Sequence, residues 1–130
     1  LRKAFDRVVR SKLLAKLQQK GVSQFLVRII ASLLNGTEAY VNGTKTLVQL
    51  GVPQGGVLSP LLFNLYIDDL LHELNQMQWK TLFKQQVFAY ADDLLVTGQT
   101  DLFVQRVRQV VDKWSQTNEI AVNFDKSGIL

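Results

Sequence analysis

Asp92 and Asp93 stand side by side between two short apolar runs, Val87–Tyr90 and Leu94–Thr97. An apolar run, a brief polar break and a second apolar run read as a β-hairpin. The two acids therefore sit at a strand bend, and the fold must tolerate them there. Adjacent carboxylates repel each other, and each costs desolvation energy beside buried strands. A divalent cation relieves both problems, and hard oxygen ligands suit Mg²⁺. Two such ions ~3.5–4 Å apart can activate a 3′-hydroxyl and stabilise a departing pyrophosphate. The plainer alternative is a solvated hairpin turn, which Asp favours on its own account.

The chain contains an internal control. Tyr66-Ile67-Asp68-Asp69-Leu70 repeats the lettering of Tyr90-Ala91-Asp92-Asp93-Leu94. It falls in a segment with Leu62, Phe63, Tyr66, Ile67, Leu70, Leu71 and Leu74 at helical spacing, opened by Ser59-Pro60 as N-cap and first helical residue. Consecutive helical residues point ~100° apart, so Asp68 and Asp69 cannot converge as turn residues can. They are expected to be structural, on the polar face or end of that helix.

The remaining elements follow from periodicity and punctuation. Val9, Leu13, Leu14 and Leu17 mark a helix stopped by Gly21. Ser23 caps a second, carrying Leu26, Ile29, Ile30, Leu33 and Leu34 and ended by Asn35-Gly36. Ala39–Val41 and Leu47–Leu50 flank Asn42-Gly43, a strong hairpin signal. Residues 51–56, Gly-Val-Pro-Gln-Gly-Gly, form a glycine-rich loop. Residues 75–85 are polar and irregular. Thr100 and Asp101 cap a helix with Val104, Val107, Val110, Val111 and Trp114 on one face, and Ala121–Phe124 reads as a last strand. Helices alternating with antiparallel strands imply an α+β fold, one antiparallel sheet with helices packed on one face.

Composition narrows the chemistry. The 130 residues contain no cysteine and one histidine, His72. Disulfides, thiolate metal sites, thiol nucleophiles and a His-rich zinc centre are excluded. No apolar run is long enough to span a bilayer, so no membrane partner is expected. Residues 1–28 carry eight Lys or Arg against Asp6 alone, while the rest of the chain carries seven against ten acids. A basic end beside an acidic remainder suits a polyanion partner with a separate cation site, or is a solvated helix face.

Taken together, these strings resemble a known family. Gly51-Val52-Pro53-Gln54-Gly55-Gly56-Val57-Leu58-Ser59-Pro60-Leu61-Leu62-Phe63-Asn64 resembles motif B of reverse transcriptases, and Phe88-Ala89-Tyr90-Ala91-Asp92-Asp93 resembles motif C. Arg2-Lys3-Ala4-Phe5-Asp6-Arg7-Val8 is similar to the second half of motif A, and Asn123-Phe124-Asp125-Lys126-Ser127 to motif D. Order and spacing resemble the polymerase palm of group II intron and non-LTR retrotransposon enzymes, over residues 1–130.

The resemblance implies roles. Asp92 and Asp93 are the motif C carboxylates and metal ligands. Gln54 and Gly55 lie against the incoming nucleotide and template base, with Tyr90 also at the nucleotide. Phe5 is the steric gate that excludes a ribose 2′-hydroxyl; as a plain side chain it reads as a core aromatic. Lys126 is the motif D lysine, protonating pyrophosphate or orienting phosphates; as a plain side chain it is ordinary surface. The implied partners are an RNA template, a DNA primer, a dNTP, two Mg²⁺ ions and the rest of a parent polypeptide.

The motif A metal aspartate lies five residues before the gate aromatic in this family, one position ahead of Leu1. The chain also has no initiator Met and none of the family's fingers or thumb. It is therefore expected to be a piece of a longer protein, inactive alone, with an exposed sheet edge where the motif A strand belongs. Three alternatives stay open. An RNA-dependent RNA polymerase would favour a small residue at position 5 and a Gly at position 91. An RRM-like RNA-binding module would stack bases on Phe88 and Tyr90. A maturase-like or decayed element remnant would keep only RNA binding.

Overall fold

A computed structural model describes residues 1, 3–36, 38–41, 44–47, 50–77, 86–98, 100–123 and 126–128. A 3₁₀ turn at Phe5–Arg7 leads into α1 (Arg10–Gln19) and α2 (Gln24–Asn35). The hairpin β1 (Glu38–Val41) and β2 (Thr44–Leu47) follows, then α3 (Ser59–Gln76). The hairpin β3 (Val87–Tyr90) and β4 (Asp93–Val96) precedes α4 (Asp101–Asn118).

Local signals place the helix starts. The Ser23 hydroxyl accepts from Leu26 N at 3.4 Å, and the Thr100 hydroxyl accepts from Phe103 N at 3.2 Å. Each satisfies one of the free N–H groups of a first turn. Ser59 departs from expectation. It is the first residue of α3, with Leu58 as its cap, and its hydroxyl donates to Pro53 O. The side chain ties the glycine-rich loop to the helix instead of capping it.

The α+β class holds, but the single sheet does not. Among the described residues there are two separate two-stranded antiparallel sheets, β1–β2 and β3–β4. Val41 pairs with Thr44, so the first hairpin closes across residues 42–43, which lie outside the described residues, as does Val48. Leu50 leaves that hairpin and bridges Val9. Ala121, Val122 and Asn123 form no strand, and Phe124 lies outside the described residues. Strand pairing is a long-range property that an apolar run alone does not specify. An isolated hairpin is marginal in water. Here Val87, Leu94 and Val96 turn one face of β3–β4 onto the buried core, which supplies the support that a third strand would give.

The core runs along α3. Leu62, Phe63, Tyr66, Ile67, Leu70 and Leu74 are buried on one helical stripe, facing Leu13 and Leu17 of α1 and Trp114 of α4. The rings of Tyr66 and Trp114 meet edge to face at 6.1 Å, a favoured aromatic geometry. No helix among the described residues is long and apolar enough to cross a membrane.

Polar groups lock this core from above. The Lys16 ammonium donates to Tyr66 O at 2.7 Å and to Asp69 Oδ1 at 2.9 Å, and lies 4.4 Å from the Tyr66 ring centroid. Trp114 Nε1 donates to the same Asp69 oxygen at 2.9 Å. Burial pulls the Lys16 pKa down, against the opposing pull of Asp69. Lys20 pairs with Asp68, and Lys12 with Glu119 at 2.6 Å. The two acids of the α3 string therefore serve different lysines, as the helical reading expects. Much of the basic end is also consumed inside the molecule. Three of its lysines hold carboxylates, and Arg10 is buried. Lys3, Arg7 and Arg28 remain exposed.

Tyr66 gives a pH-dependent test. Its buried hydroxyl donates to Asn118 O at 2.9 Å. Desolvation disfavours the phenolate and pushes the pKa up to about 12. An unfolded tyrosine ionises near ~10. The stability gained by keeping this phenol neutral is present in full below pH ~10 and is lost as pH rises through about 12. Tyr66→Phe should cost roughly 1 kcal/mol near neutral pH, for the lost hydrogen bond. Its deficit against wild type should then narrow through the alkaline window. Urea titrations at neutral and alkaline pH measure both; a deficit that stays constant across the window would refute the account.

Candidate active site

The second hairpin turns at Ala91 and Asp92, with Tyr90 paired to Asp93 across its mouth. Ala91 sits at φ 50°, a left-handed conformation that costs an alanine roughly 1–2 kcal/mol. A two-residue hairpin turn requires a positive φ at its first central position, and here an alanine supplies it. Asp92 is half-buried in the turn, and Asp93 is exposed as the first residue of β4. Neither carboxylate has an ion pair or hydrogen bond among the described residues. Two uncommitted carboxylates are hard oxygen donors of the kind Mg²⁺ takes. They are two and not three: no group of three or more His, Cys, Asp or Glu among the described residues is placed to hold a metal ion.

The glycine-rich loop is stitched to the start of the chain. Gly51 N donates to Val8 O at 2.8 Å, and Val52 N to Phe5 O at 2.9 Å. The buried Arg10 guanidinium donates to Gly51 O at 2.8 Å and to Leu34 O at 2.5 Å, drawing the end of α2 onto the same seam. Gly51 is obligatory here. Its φ is +81°, and a Cβ would lie 2.8 Å from Asp6 O and 2.9 Å from Phe5 O. At the loop tip Gln54 is exposed, and its Nε2 donates to Asp6 Oδ1 at 2.6 Å. Gly55 follows at φ +81° with open space around it.

Phe5 is half-buried and stacks on Phe63 of α3, ring centroids 4.6 Å apart and planes 26° from parallel. The ring is thus a core contact, while the residue's backbone carbonyl accepts from the loop at Val52. Tyr90 is 86% exposed, and Phe88, two residues earlier on the same face of β3, is 51% exposed. Lys126 is exposed; its backbone N–H donates to Asn123 O at 3.2 Å, with no contact to the hairpin or the loop among the described residues. Asp125 lies outside the described residues.

One short segment brings the two turns together. The Leu1 ammonium donates to Asp92 O at 2.7 Å, while Phe5 and Asp6 touch the loop. Four residue steps reach at most ~14 Å, which bounds the distance from Leu1 at the hairpin turn to Phe5 at the loop. Two parts of this arrangement are not legible in the sequence, the Arg10 tether and the Asp6–Gln54 bond. As a string, Arg10 is one basic residue among eight, and Asp6 is the single acid in that basic segment, next to Phe5.

Gly51→Ala should destabilise the protein by more than about 2 kcal/mol, since a strained φ and a backbone clash act together. Chemical denaturation would show it. A loss below about 0.5 kcal/mol, the range of an ordinary surface substitution, would refute the seam.

Comparison with known proteins places the chain in a family. The chain is 31% identical over 137 residues to the Retrovirus-related Pol polyprotein from type-1 retrotransposable element R2 of Popillia japonica, covering 97% of this chain and 22% of that protein. It is 30% identical to the probable RNA-directed DNA polymerase from transposon X-element of Drosophila melanogaster, over 98% of this chain and 15% of that protein. It is 27% identical to the RNA-directed DNA polymerase from mobile element jockey of Drosophila funebris, over 98% of this chain and 14% of that protein. The chain thus spans about a fifth or less of the length of these relatives. All of it, residues 1–130, matches one family model, and the chain belongs to the reverse transcriptase (RNA-dependent DNA polymerase) family.

Proposed function

We propose that residues 1–130 are the palm segment of an RNA-directed DNA polymerase of the non-LTR retrotransposon kind, joining dNTPs to a DNA primer on an RNA template. The observation that carries this is the 1–6 segment, which touches the Asp92 turn at one end and the Gln54 loop at the other. The R2, X-element and jockey relatives favour that element class over a group II intron.

In this reading Asp92 and Asp93 hold Mg²⁺, which supplies charge neutralisation at the primer hydroxyl and the departing pyrophosphate when bound. Leu1 lies beside this turn, its nitrogen 2.7 Å from Asp92 O. The family's third carboxylate, in motif A, would complete the ligand set. Phe5, backed by Phe63, walls the sugar position and excludes a 2′-hydroxyl. Gln54 and Gly55 present polar and open backbone surface to the nucleotide and template base. The exposed Tyr90 ring offers a face to a base or sugar. Lys126 is the proton donor or phosphate partner for pyrophosphate. The fingers and thumb of a working enzyme would come from the remainder of a longer polypeptide, and the 130-residue chain alone would be inactive.

Primer extension on an RNA template with Mg²⁺ tests the reading in the complete polypeptide that carries this chain. Asp92→Asn and Asp93→Asn should each lower kcat by at least about 10²-fold, with RNA binding retained. Extension that survives either change would remove the metal roles. Retained RNA binding with no extension by the unaltered polypeptide would favour a base-stacking RNA-binding module on Phe88 and Tyr90.

A further inference from the structure

We propose that Asp6 is a positioning residue for Gln54, its carboxylate deciding which edge of the Gln54 amide faces the nucleotide. The inference rests on the polymerase reading above and adds the group that orients one of its contacts.

Asp6 is itself firmly placed. It sits in the middle of the 3₁₀ turn, its N–H donating to Lys3 O at 3.1 Å. Its Cα and carbonyl oxygen press on Gly51, at 2.9 and 2.8 Å from the point where a Cβ would stand. From that anchored backbone the carboxylate accepts from Gln54 Nε2 at 2.6 Å, a close bond between an amide N–H and a carboxylate oxygen. Gln54 is otherwise exposed, and no second partner holds its amide among the described residues. Without Asp6 its three torsions are free to wander.

The chemistry of the pair fixes a direction. An ionised carboxylate only accepts, so Gln54 must turn its NH₂ toward Asp6. The carbonyl Oε1 and one remaining N–H are then left for a ligand. Adjacent acceptor and donor groups match the edge of a nucleobase, or a sugar hydroxyl that both gives and takes a proton. Beside them lies an open cleft of about 300 Å³ formed by Asp6, Arg10 and residues 50–54. Asp6 also directly follows Phe5, so one turn sets both the wall at the sugar and the polarity of the amide.

An exposed pair adds little to stability, so the effect should appear in order and affinity and not in folding. Two measurements test it. The first is ¹⁵N relaxation of the Gln54 side-chain amide in the full chain. The amide should be ordered in wild type, mobile in Asp6→Ala, and ordered again in Asp6→Asn, whose Oδ1 still accepts the bond. The Gly55 and Gly56 backbone signals should stay unmoved. Equal mobility in wild type and Asp6→Ala would overturn the proposal. The second is primer extension by the complete polypeptide. Asp6→Ala should raise KM for dNTP roughly three- to tenfold with kcat within about twofold. Asp6→Asn should restore most of the loss. The Asp6→Ala/Gln54→Ala double variant should be no worse than Gln54→Ala, because Asp6 acts only through Gln54. A loss confined to kcat, or single losses that multiply in the double variant, would overturn it. If the unaltered polypeptide extends no primer, the polymerase reading falls, while the relaxation result still decides whether Asp6 orders Gln54.

Discussion

The site depends on a backbone seam between residues 5–10 and 50–54. Carbonyls of Phe5 and Val8 accept from Val52 and Gly51, and Arg10 closes the seam from beneath. Buried backbone groups must find partners. The glycine-rich loop has no regular strand or helix to supply them, so the chain's opening segment does. The seam needs a residue without a Cβ at its closest point, which is why Gly51 stands there at φ +81°. It also needs a donor that can serve several carbonyls at once from a buried position. The forked guanidinium of Arg10 does so, where an ammonium would be a compact point donor.

Arg10 has a second consequence. By donating to Leu34 O it joins the C-terminal end of α2 to the loop. The carbonyls at a helix end carry partial negative charge, which a cation satisfies. The loop is therefore anchored to α1, α2 and, through the Ser59 hydroxyl, α3. Three helices hold the base of a loop whose tip, Gln54 and Gly55, stays open to solvent. A fixed base with a free tip suits a part that must meet a ligand without wandering.

What was legible in the sequence follows the range of the interaction. The β3–β4 hairpin, the α3 stripe and the caps at Ser23 and Thr100 depend on neighbours within four residues or on simple periodicity, and the sequence displays such patterns directly. The separation of the two hairpins does not, since strand partners are chosen by the whole fold. Nor do the carboxylates taken by Lys12, Lys16 and Lys20, which lie 107, 53 and 48 residues away. Those lysines resembled a polyanion-binding stripe as a string and prove to be clamps between α1 and the acids of α3 and the residue after α4. Asp6 was obscured for the same reason. Its partner Gln54 is 48 residues on, and only the seam makes them neighbours.

The two Tyr-x-Asp-Asp-Leu strings separate lettering from environment. In α3 the Tyr66 ring is fully buried, and Asp68 and Asp69 are each neutralised by a lysine, Lys20 at the C-cap of α1 and Lys16 within it. In the hairpin Tyr90 is almost fully exposed, and its two acids have no cation among the described residues. Among the described residues Lys12, Lys16 and Lys20 each hold an acid, yet no basic side chain there pairs with Asp92 or Asp93. Adjacent carboxylates left without a counter-charge at a strained turn repel each other and weaken the hairpin that carries them. A fold that neutralises the same dipeptide in α3 shows that compensation was chemically easy. The same two letters are thus neutralised in a helix and left without a counter-charge among the described residues at a turn, a difference of environment and not of lettering.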